Sequence, residues 1–200
     1  MFEAKLELVI ILKHGGWLNR FAFIFLKYMM GGIIVGSKWY MHELRVRYQE
    51  TDQMGVVYHA NYLNWFEIGR TEMIRTMGIT YLELESRGLL LPLTDVEMKF
   101  RLPALYDNWI SIYTRITDYS TVRCQFESQI RRRSIVDVQP ERILEPGLAL
   151  ESETEPKQSI EPNGELLVSG VTKHVWLNRS WKAVRIDKES PDLYKIIKGG

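Results

Sequence analysis

The segment from residue 45 to residue 62 has the sequence RVRYQETDQMGVVYHANY, and two regular patterns meet in it. Residues 42–50 alternate apolar and polar side chains, which is the period of a half-buried β-strand. Residues 60–77 carry apolar side chains at helical spacing, and Gly78 follows them as a helix C-cap would. The residues that define this helical stripe are Leu63, Phe66, Met73 and Met77. The segment is therefore predicted to be a loop between a strand and a long helix.

The rest of the chain predicts mainly β-structure. Short helices are predicted over residues 81–87 and 191–198. Strands are predicted over residues 89–101, 109–118, 121–132 and 165–178. Because one strand and one long helix are followed by a run of four strands, the order favours an α+β fold. In such a fold the helix packs on one face of an antiparallel sheet.

Asp52 is the candidate catalytic residue of the loop. The first amides of the following helix lack intrahelical acceptors, point out of its N-terminus and favour a developing negative charge. Gly55 lets a ligand approach the main chain closely. A carboxylate facing such amides can act as a nucleophile or general base beside an oxyanion hole. The spacing alone also fits a structural role, in which Asp52 caps a turn and His59 bonds to loop backbone.

The same residues resemble the signature of the 4-hydroxybenzoyl-CoA thioesterase family, and specifically of its YbgC-type acyl-CoA thioesterase branch. The matching elements are Arg45-Val46, Thr51-Asp52, Gly55-Val56-Val57, His59, Tyr62, Phe66-Glu67 and Arg70-Thr71-Glu72, with later matches at residues 88–92, 164–167 and 173–175. The resemblance covers about residues 41–178, apart from one insertion. It implies the hotdog fold, an antiparallel sheet wrapped around one long central helix.

The resemblance also implies roles for individual residues. Asp52 matches the family's catalytic aspartate, which attacks the thioester carbonyl or activates a water, and both routes stay open. The backbone amide at His59 would polarise the thioester oxygen, and the His59 side chain would line the site. Glu67 is a second candidate carboxylate, because a related branch places its catalytic carboxylate on the central helix. The implied substrate-binding positions are Gly55, Val57, Tyr58 and Tyr62.

The implied substrate is a fatty or aromatic acyl-CoA, or an acyl group on an acyl carrier protein. The implied assembly is a homodimer or homotetramer, and the hydrolysis needs no metal and no other cofactor. Residues 131–133, three consecutive arginines, are candidates for binding the phosphates of coenzyme A. The alternatives are a non-catalytic hotdog protein that binds acyl-CoA or acyl carrier protein, and a hotdog dehydratase.

The composition is typical of one globular domain. The chain has 200 residues, of which 46% are hydrophobic and 26% charged, and its net charge of +1 does not predict nucleic-acid binding. Cys124 is the only cysteine, so an intramolecular disulfide is excluded and a thiolate metal cluster is not expected. The four histidines show no metal-ligand spacing. These features predict a cytoplasmic protein, and membrane contact is not expected.

Two stretches differ from the rest. Residues 1–40 contain an apolar run whose Arg20 and Lys27 would each cost about 2.5–3.5 kcal/mol near a bilayer centre. We therefore predict a non-native or poorly ordered extension before Met41, with an apolar membrane or peripheral anchor as the alternative. Residues 134–164 hold four of the seven prolines and an excess of acids, which predicts a solvated insertion within the hotdog domain of residues 41–200.

Overall fold

The computed structural model describes residues 38–133 and 161–199. In chain order its elements are β1 (Tyr40–Arg45), a 3₁₀ turn (Tyr48–Glu50), α1 (His59–Thr76), α2 (Tyr81–Ser86), β2 (Leu89–Leu90), β3 (Leu93–Phe100), β4 (Trp109–Tyr119), β5 (Arg123–Arg132), β6 (Glu165–Val175), β7 (Leu177–Asn178), α3 (Ile186–Glu189) and α4 (Pro191–Gly199). The predicted α+β class is confirmed. Within these two ranges, no helix is long and apolar enough to cross a membrane.

The main sheet has five strands in the order β1-β4-β5-β6-β3, and every neighbouring pair is antiparallel. The short strands β2 and β7 form a second, two-stranded antiparallel sheet. In the main sheet β1 and β3 are the edge strands. Most side chains of β3 are exposed, whereas most side chains of β4 are buried on both faces of the strand.

The first strand differs from its predicted bounds at both ends. β1 begins at Tyr40, one residue before Met41, and the side chains of Trp39 and Tyr40 are both buried. The Trp39 ring packs edge-on against Tyr113, with 6.5 Å between the ring centroids. The folded domain thus includes two residues that the sequence boundary assigned to the extension. Residues 1–37 of that extension, and most of the predicted insertion, lie outside the described residues.

Two predicted strands are each divided in the structure. The strand predicted over residues 89–101 is interrupted before β3 at Pro92, which has no backbone N–H to donate. The strand predicted over residues 165–178 is interrupted at Trp176. There the amide donates to Val122 at 2.9 Å and the carbonyl accepts from Val184 at 2.9 Å. Both backbone groups of this tryptophan therefore bond outside the main sheet.

Helix α1 is 18 residues long and lies closely against the sheet at Gly69. A Cβ atom at this position would lie 2.5 Å from Thr114 Oγ1 and 2.6 Å from Ile112 Cγ2. Glycine is therefore required for the approach of the helix to β4. Gly78 ends the helix as predicted, with a φ of +96° and its amide donating to the Arg75 carbonyl at 3.0 Å.

The apolar core consists of two clusters, one at each end of α1. The cluster at the N-terminal end contains Val46, Val57, Tyr62, Trp65, Phe66, Ala104, Ile110, Ile112, Ile130, Leu167 and Val168. The cluster at the C-terminal end includes Met73, Ile74, Ile116, Cys124, Phe126, Trp176, Leu193 and Ile197. On α1, β4, β5 and β6, buried polar residues stand in sequence between the two clusters. These five residues, which we name the polar layer, are Arg70, Thr114, Ser128, Thr172 and His174.

Candidate active site

The loop after the 3₁₀ turn is a tight bend whose two ends are bridged. Thr51 and Val57 form an antiparallel bridge, and the Asp52 amide donates to the Val56 carbonyl at 2.9 Å. The Gly55 amide donates back to the Asp52 carbonyl at 3.0 Å. Gly55 has a φ of +77°, so a side chain would be strained there even though the surrounding space is open. The turn itself therefore requires this glycine.

The two oxygens of the Asp52 carboxylate differ in their hydrogen bonding. Oδ1 accepts a hydrogen bond from the Met54 amide at 2.8 Å, as in an Asx turn. Within the described ranges Oδ2 has no hydrogen-bond partner, and the side chain is half-buried. The carboxylate thus has a defined orientation and one oxygen available to a substrate or water, as a nucleophile or general base requires.

Helix α1 begins without a side-chain cap. Tyr58 occupies the N-cap position and supplies no side-chain hydrogen bond, although its carbonyl accepts from the Asn61 amide at 2.9 Å. The amides of His59 and Ala60 find no acceptor among the residues that the structure describes. Two backbone N–H groups at the positive end of the helix dipole are therefore available to a ligand, and this arrangement stabilises an anion.

Tyr58 and His59 are exposed at the helix start, with 4.2 Å between their ring centroids. Tyr62 and Val57, which the sequence also assigned to substrate binding, lie beneath the loop and are buried. The Tyr62 hydroxyl accepts the Ala104 amide at 2.8 Å, and the Val57 amide donates to the Ala104 carbonyl at 2.9 Å. These two residues therefore attach the loop to the segment before β4.

Asp52 lies close enough to Tyr62 to affect its titration. Burial is the main cause that raises the pKa of the Tyr62 hydroxyl, and the negative charge of Asp52 raises it further. The hydrogen bond from Ala104 and the charge of Arg132 act in the opposite direction. The tyrosine is therefore a neutral hydrogen-bonding group beneath the loop that holds Asp52.

Glu67, the second candidate carboxylate, lies two turns into α1. Its side chain is largely exposed, and its Oε1 is 3.6 Å from Nη2 of the buried Arg70. Within the described part of the chain, no contact joins Glu67 to Asp52 or to the open amides. The structure therefore brings Asp52, Gly55, Tyr58 and His59 together and places Glu67 apart from them.

Glu50 is a buried carboxylate that the sequence analysis did not single out. Its side chain accepts the Arg47 amide at 2.7 Å, Arg47 Nη2 at 3.1 Å and the indole Nε1 of Trp65 at 3.0 Å. Burial acts to raise the pKa of Glu50, but these hydrogen bonds outweigh it and the pKa lies below its usual value. A signal was present, because Glu50 continues the apolar face of the predicted strand after Leu44, Val46 and Tyr48.

The three consecutive arginines already have protein partners. Arg131 donates to the Gly164 carbonyl at 2.7 Å, and Arg132 pairs with Glu165 at 2.6 Å. Arg133 is 3.4 Å from Glu43. Among residues 38–133 and 161–199, no group of three His, Cys, Asp or Glu side chains could hold a metal ion.

The solved structures similar to this fold include thioesterases. The DHNA-CoA thioesterase from Staphylococcus aureus superposes with a TM-score of 0.64 and 26% sequence identity, over 80% of this chain and 89% of that one. The hypothetical protein TT1821 from Thermus thermophilus gives a TM-score of 0.62 at 26% identity, over 80% and 98% of the two chains. This chain therefore has the fold of a solved thioesterase.

Sequence comparison leads to the same family. The sequence model of the thioesterase-like superfamily matches residues 46–187. The Bacillus subtilis protein YneP, a proposed acyl-CoA thioesterase, is 31% identical over 153 residues, 76% of this chain and 90% of that protein. The Haemophilus influenzae acyl-CoA thioesterase YbgC is 32% identical over 94 residues, 46% of this chain and 69% of that protein. The chain therefore belongs to the thioesterase-like superfamily of hotdog proteins, and within it to the YbgC-type acyl-CoA thioesterases.

Proposed function

We propose that this protein hydrolyses the thioester bond of a fatty or aromatic acyl-CoA, releasing the free acid and coenzyme A. The proposal rests on one observation. The Asp52 carboxylate, bonded through Oδ1 and available at Oδ2, lies in the loop that leads directly to the amides of His59 and Ala60, which have no acceptor among the described residues. A carboxylate and an anion-binding helix start are the two groups that acyl transfer needs.

Asp52 can supply the attacking group in two ways. As a general base, its free Oδ2 takes a proton from a water molecule while the water oxygen attacks the thioester carbonyl. As a nucleophile, the same oxygen attacks the carbonyl itself, and water then hydrolyses the resulting mixed anhydride. In either route the carbonyl oxygen gains negative charge, and the C–S bond breaks to release the coenzyme A thiolate.

The amide of His59, with that of Ala60 beside it, is the proposed oxyanion site. Both amides belong to rigid helix backbone, so they need no rearrangement when the charge develops. The Tyr58 and His59 side chains are at the surface of the site, where they can contact the acyl or pantetheine part of the substrate.

The first experiment compares the protein with an Asp52→Asn variant, using a panel of acyl-CoAs and a thiol reagent to detect released coenzyme A. We expect kcat to fall by about a hundredfold or more, which corresponds to about 2.7 kcal/mol of barrier. The single cysteine will not disturb the assay, because burial raises the pKa of the Cys124 thiol to about 12. Incorporation of ¹⁸O from labelled water into Asp52 in a single turnover would indicate the nucleophilic route.

Two controls make this result specific. Asp118→Asn removes an exposed carboxylate on β4 and should leave kcat unchanged. Glu67→Gln tests the second candidate, and loss of turnover in this variant alone would transfer the chemistry to Glu67. If a folded protein releases no thiol from any substrate, the binding of acyl-CoA or acyl carrier protein without catalysis becomes the better explanation.

We also propose that the active unit is a dimer formed through β3, in a reducing compartment such as the cytoplasm. Support comes from the free edge of β3 and from Val96 and Phe100, which lie on one face of that strand and are 40% and 55% exposed. A second copy pairing along this edge would cover both residues. In the assembled fold α1 would be the central helix around which the sheet curves, consistent with its close contact at Gly69.

A further inference from the structure

Glu50 connects the chain before the catalytic loop with the helix after it. Its carboxylate bonds to Arg47, on the near side of the loop, and to Trp65, in the second turn of α1. Its backbone carbonyl accepts the Tyr58 amide at 2.9 Å and Asn61 Nδ2 at 2.8 Å, both at the start of α1. One residue thus receives hydrogen bonds from both ends of the loop that holds Asp52.

We propose that Glu50 is a positioning residue for the thioesterase reaction, which holds the Asp52 loop in register with the open amides at the start of α1. The inference rests on the proposed function and extends it to a residue whose side chain is buried. Relative placement of the attacking group and the oxyanion donors matters here, because a displacement of about 1 Å can reduce a rate by about a hundredfold.

The geometry excludes a direct chemical role for this carboxylate. The Glu50 side chain is 6% exposed, and its two oxygens already accept three hydrogen bonds. Its partner Trp65 is fully buried in the core, so the carboxylate lies against the interior face of the loop. Asp52 is half-buried instead, and within the described ranges its Oδ2 has no hydrogen-bond partner, so the two acidic residues differ in what they can do.

The network predicts that glutamine replaces Glu50 poorly. An amide side chain has one acceptor oxygen and an NH₂ group that only donates. Three donors now converge on the carboxylate, from the Arg47 amide, the Arg47 guanidinium and Trp65. In a Glu50→Gln variant at least one of these donors would face the NH₂ group, so at least one of the three hydrogen bonds to this side chain would be lost.

The test compares kcat and KM of Glu50→Gln with those of Glu127→Gln, both measured well below their melting temperatures. Glu127 is a matched control on β5, since its carboxylate is also partly buried and pairs with Arg115 at 2.6 Å. We expect Glu50→Gln to lower kcat by about tenfold or more while KM stays within about twofold. Glu127→Gln should change both constants by less than about twofold.

The proposal is overturned if Glu50→Gln keeps kcat within about twofold of the parent protein. It is also overturned if both variants lose activity in proportion to their loss of stability, because Glu50 would then be only structural. If Glu50→Gln does not fold, Asn61→Ala decides, since it removes one bond to the Glu50 carbonyl and leaves the carboxylate in place. An unchanged kcat in that variant overturns the proposal, and a fall of about threefold or more supports it.

This experiment separates two kinds of failure. Absence of thioester hydrolysis by the parent protein refutes the proposed function. Hydrolysis that depends on Asp52 but is indifferent to Glu50 and Asn61 refutes only the positioning role.

Discussion

His174 is expected to make the folded protein less stable as the pH falls. It lies on β6 and is 4% exposed, with Nδ1 at 3.2 Å from the Leu91 carbonyl and 3.4 Å from Arg70 Nη1. Within the described ranges its Nε2 has no hydrogen-bond partner. Burial, followed by the charge of Arg70, lowers the pKa of His174 from 6.5 to about 4. Cys124 and Tyr81, which also surround Arg70, stay neutral across this range because burial raises the pKa of each to about 12.

The sign and size of the effect follow from proton linkage. The unfolded chain takes up a proton on this histidine near pH 6.5, whereas the folded protein does so only near pH 4. Between these values the unfolded state binds more protons, so the free energy of unfolding falls as the pH falls. The gap is about 2.5 pH units at about 1.4 kcal/mol each, which sets a ceiling of about 3 kcal/mol for the loss.

Urea unfolding of the parent protein and a His174→Gln variant tests this prediction, at one fixed protein concentration and between about pH 4 and pH 7. Glutamine does not titrate, and its oxygen can accept from Arg70. We expect the stability of the parent to fall more steeply than that of the variant, by a difference that approaches about 3 kcal/mol. His42, whose pKa burial also lowers, is present in both proteins and cancels. Equal pH slopes in the two proteins would refute the reasoning.

Two further predictions concern packing and assembly. Gly69→Ala should lower the free energy of unfolding by about 1–3 kcal/mol, because its Cβ would lie 2.5 Å from Thr114 Oγ1 and 2.6 Å from Ile112 Cγ2. Thermal unfolding measures this, and an unchanged melting temperature would contradict the close approach of α1 to β4. Val96→Lys should dissociate the proposed dimer in light scattering, because it places a charge on the apolar face of β3 that a second copy would cover. Glu97→Lys, on the opposite face of β3, is its control, and a dimer that persists in Val96→Lys would show that the interface lies elsewhere.

The long helix and most strands could be predicted because their periods are local properties of the sequence. Helix α1 differs from its predicted range by one residue at each end, and β4 and β5 differ by no more than two. The error at the first strand occurs where a side chain bonds back to the main chain three residues before it. The first strand was predicted to reach Glu50, but the chain turns at Tyr48 because the Glu50 carboxylate bonds back to Arg47.

The parts of the candidate site that are contiguous in sequence could be identified from the sequence. Asp52, Gly55 and His59 lie within one short segment, and the structure places them together in the loop and the helix start. The residues that hydrogen-bond to this segment and hold it in place could not be identified in this way. Glu50 meets Trp65 fifteen residues later, and Ala104 bonds to Tyr62 across 42 residues. Periodicity carries no information about such pairs.

The polar layer of the core shows the same limit over a longer separation. Arg70 and His174 are 104 residues apart, and either one alone resembles an ordinary polar position on a surface helix or strand. The fold places both between apolar clusters, where each must find partners from other elements because an unpaired buried polar group costs about 1–3 kcal/mol.

In this enzyme, different residues supply the proposed reacting groups and hold those groups in position. In the proposed mechanism the reacting groups are one carboxylate and two backbone amides, which a short segment can supply with little constraint on its neighbours. Catalysis also requires those groups to stay in register, and a loop of eight residues cannot provide that rigidity by itself. We propose that the hydrogen bonds of Glu50 with Trp65 and of Ala104 with Tyr62 provide it. Substitutions at the exposed Tyr58 and His59 would then change the specificity for the acyl group, while the buried Glu50 and Ala104 keep Asp52 in position.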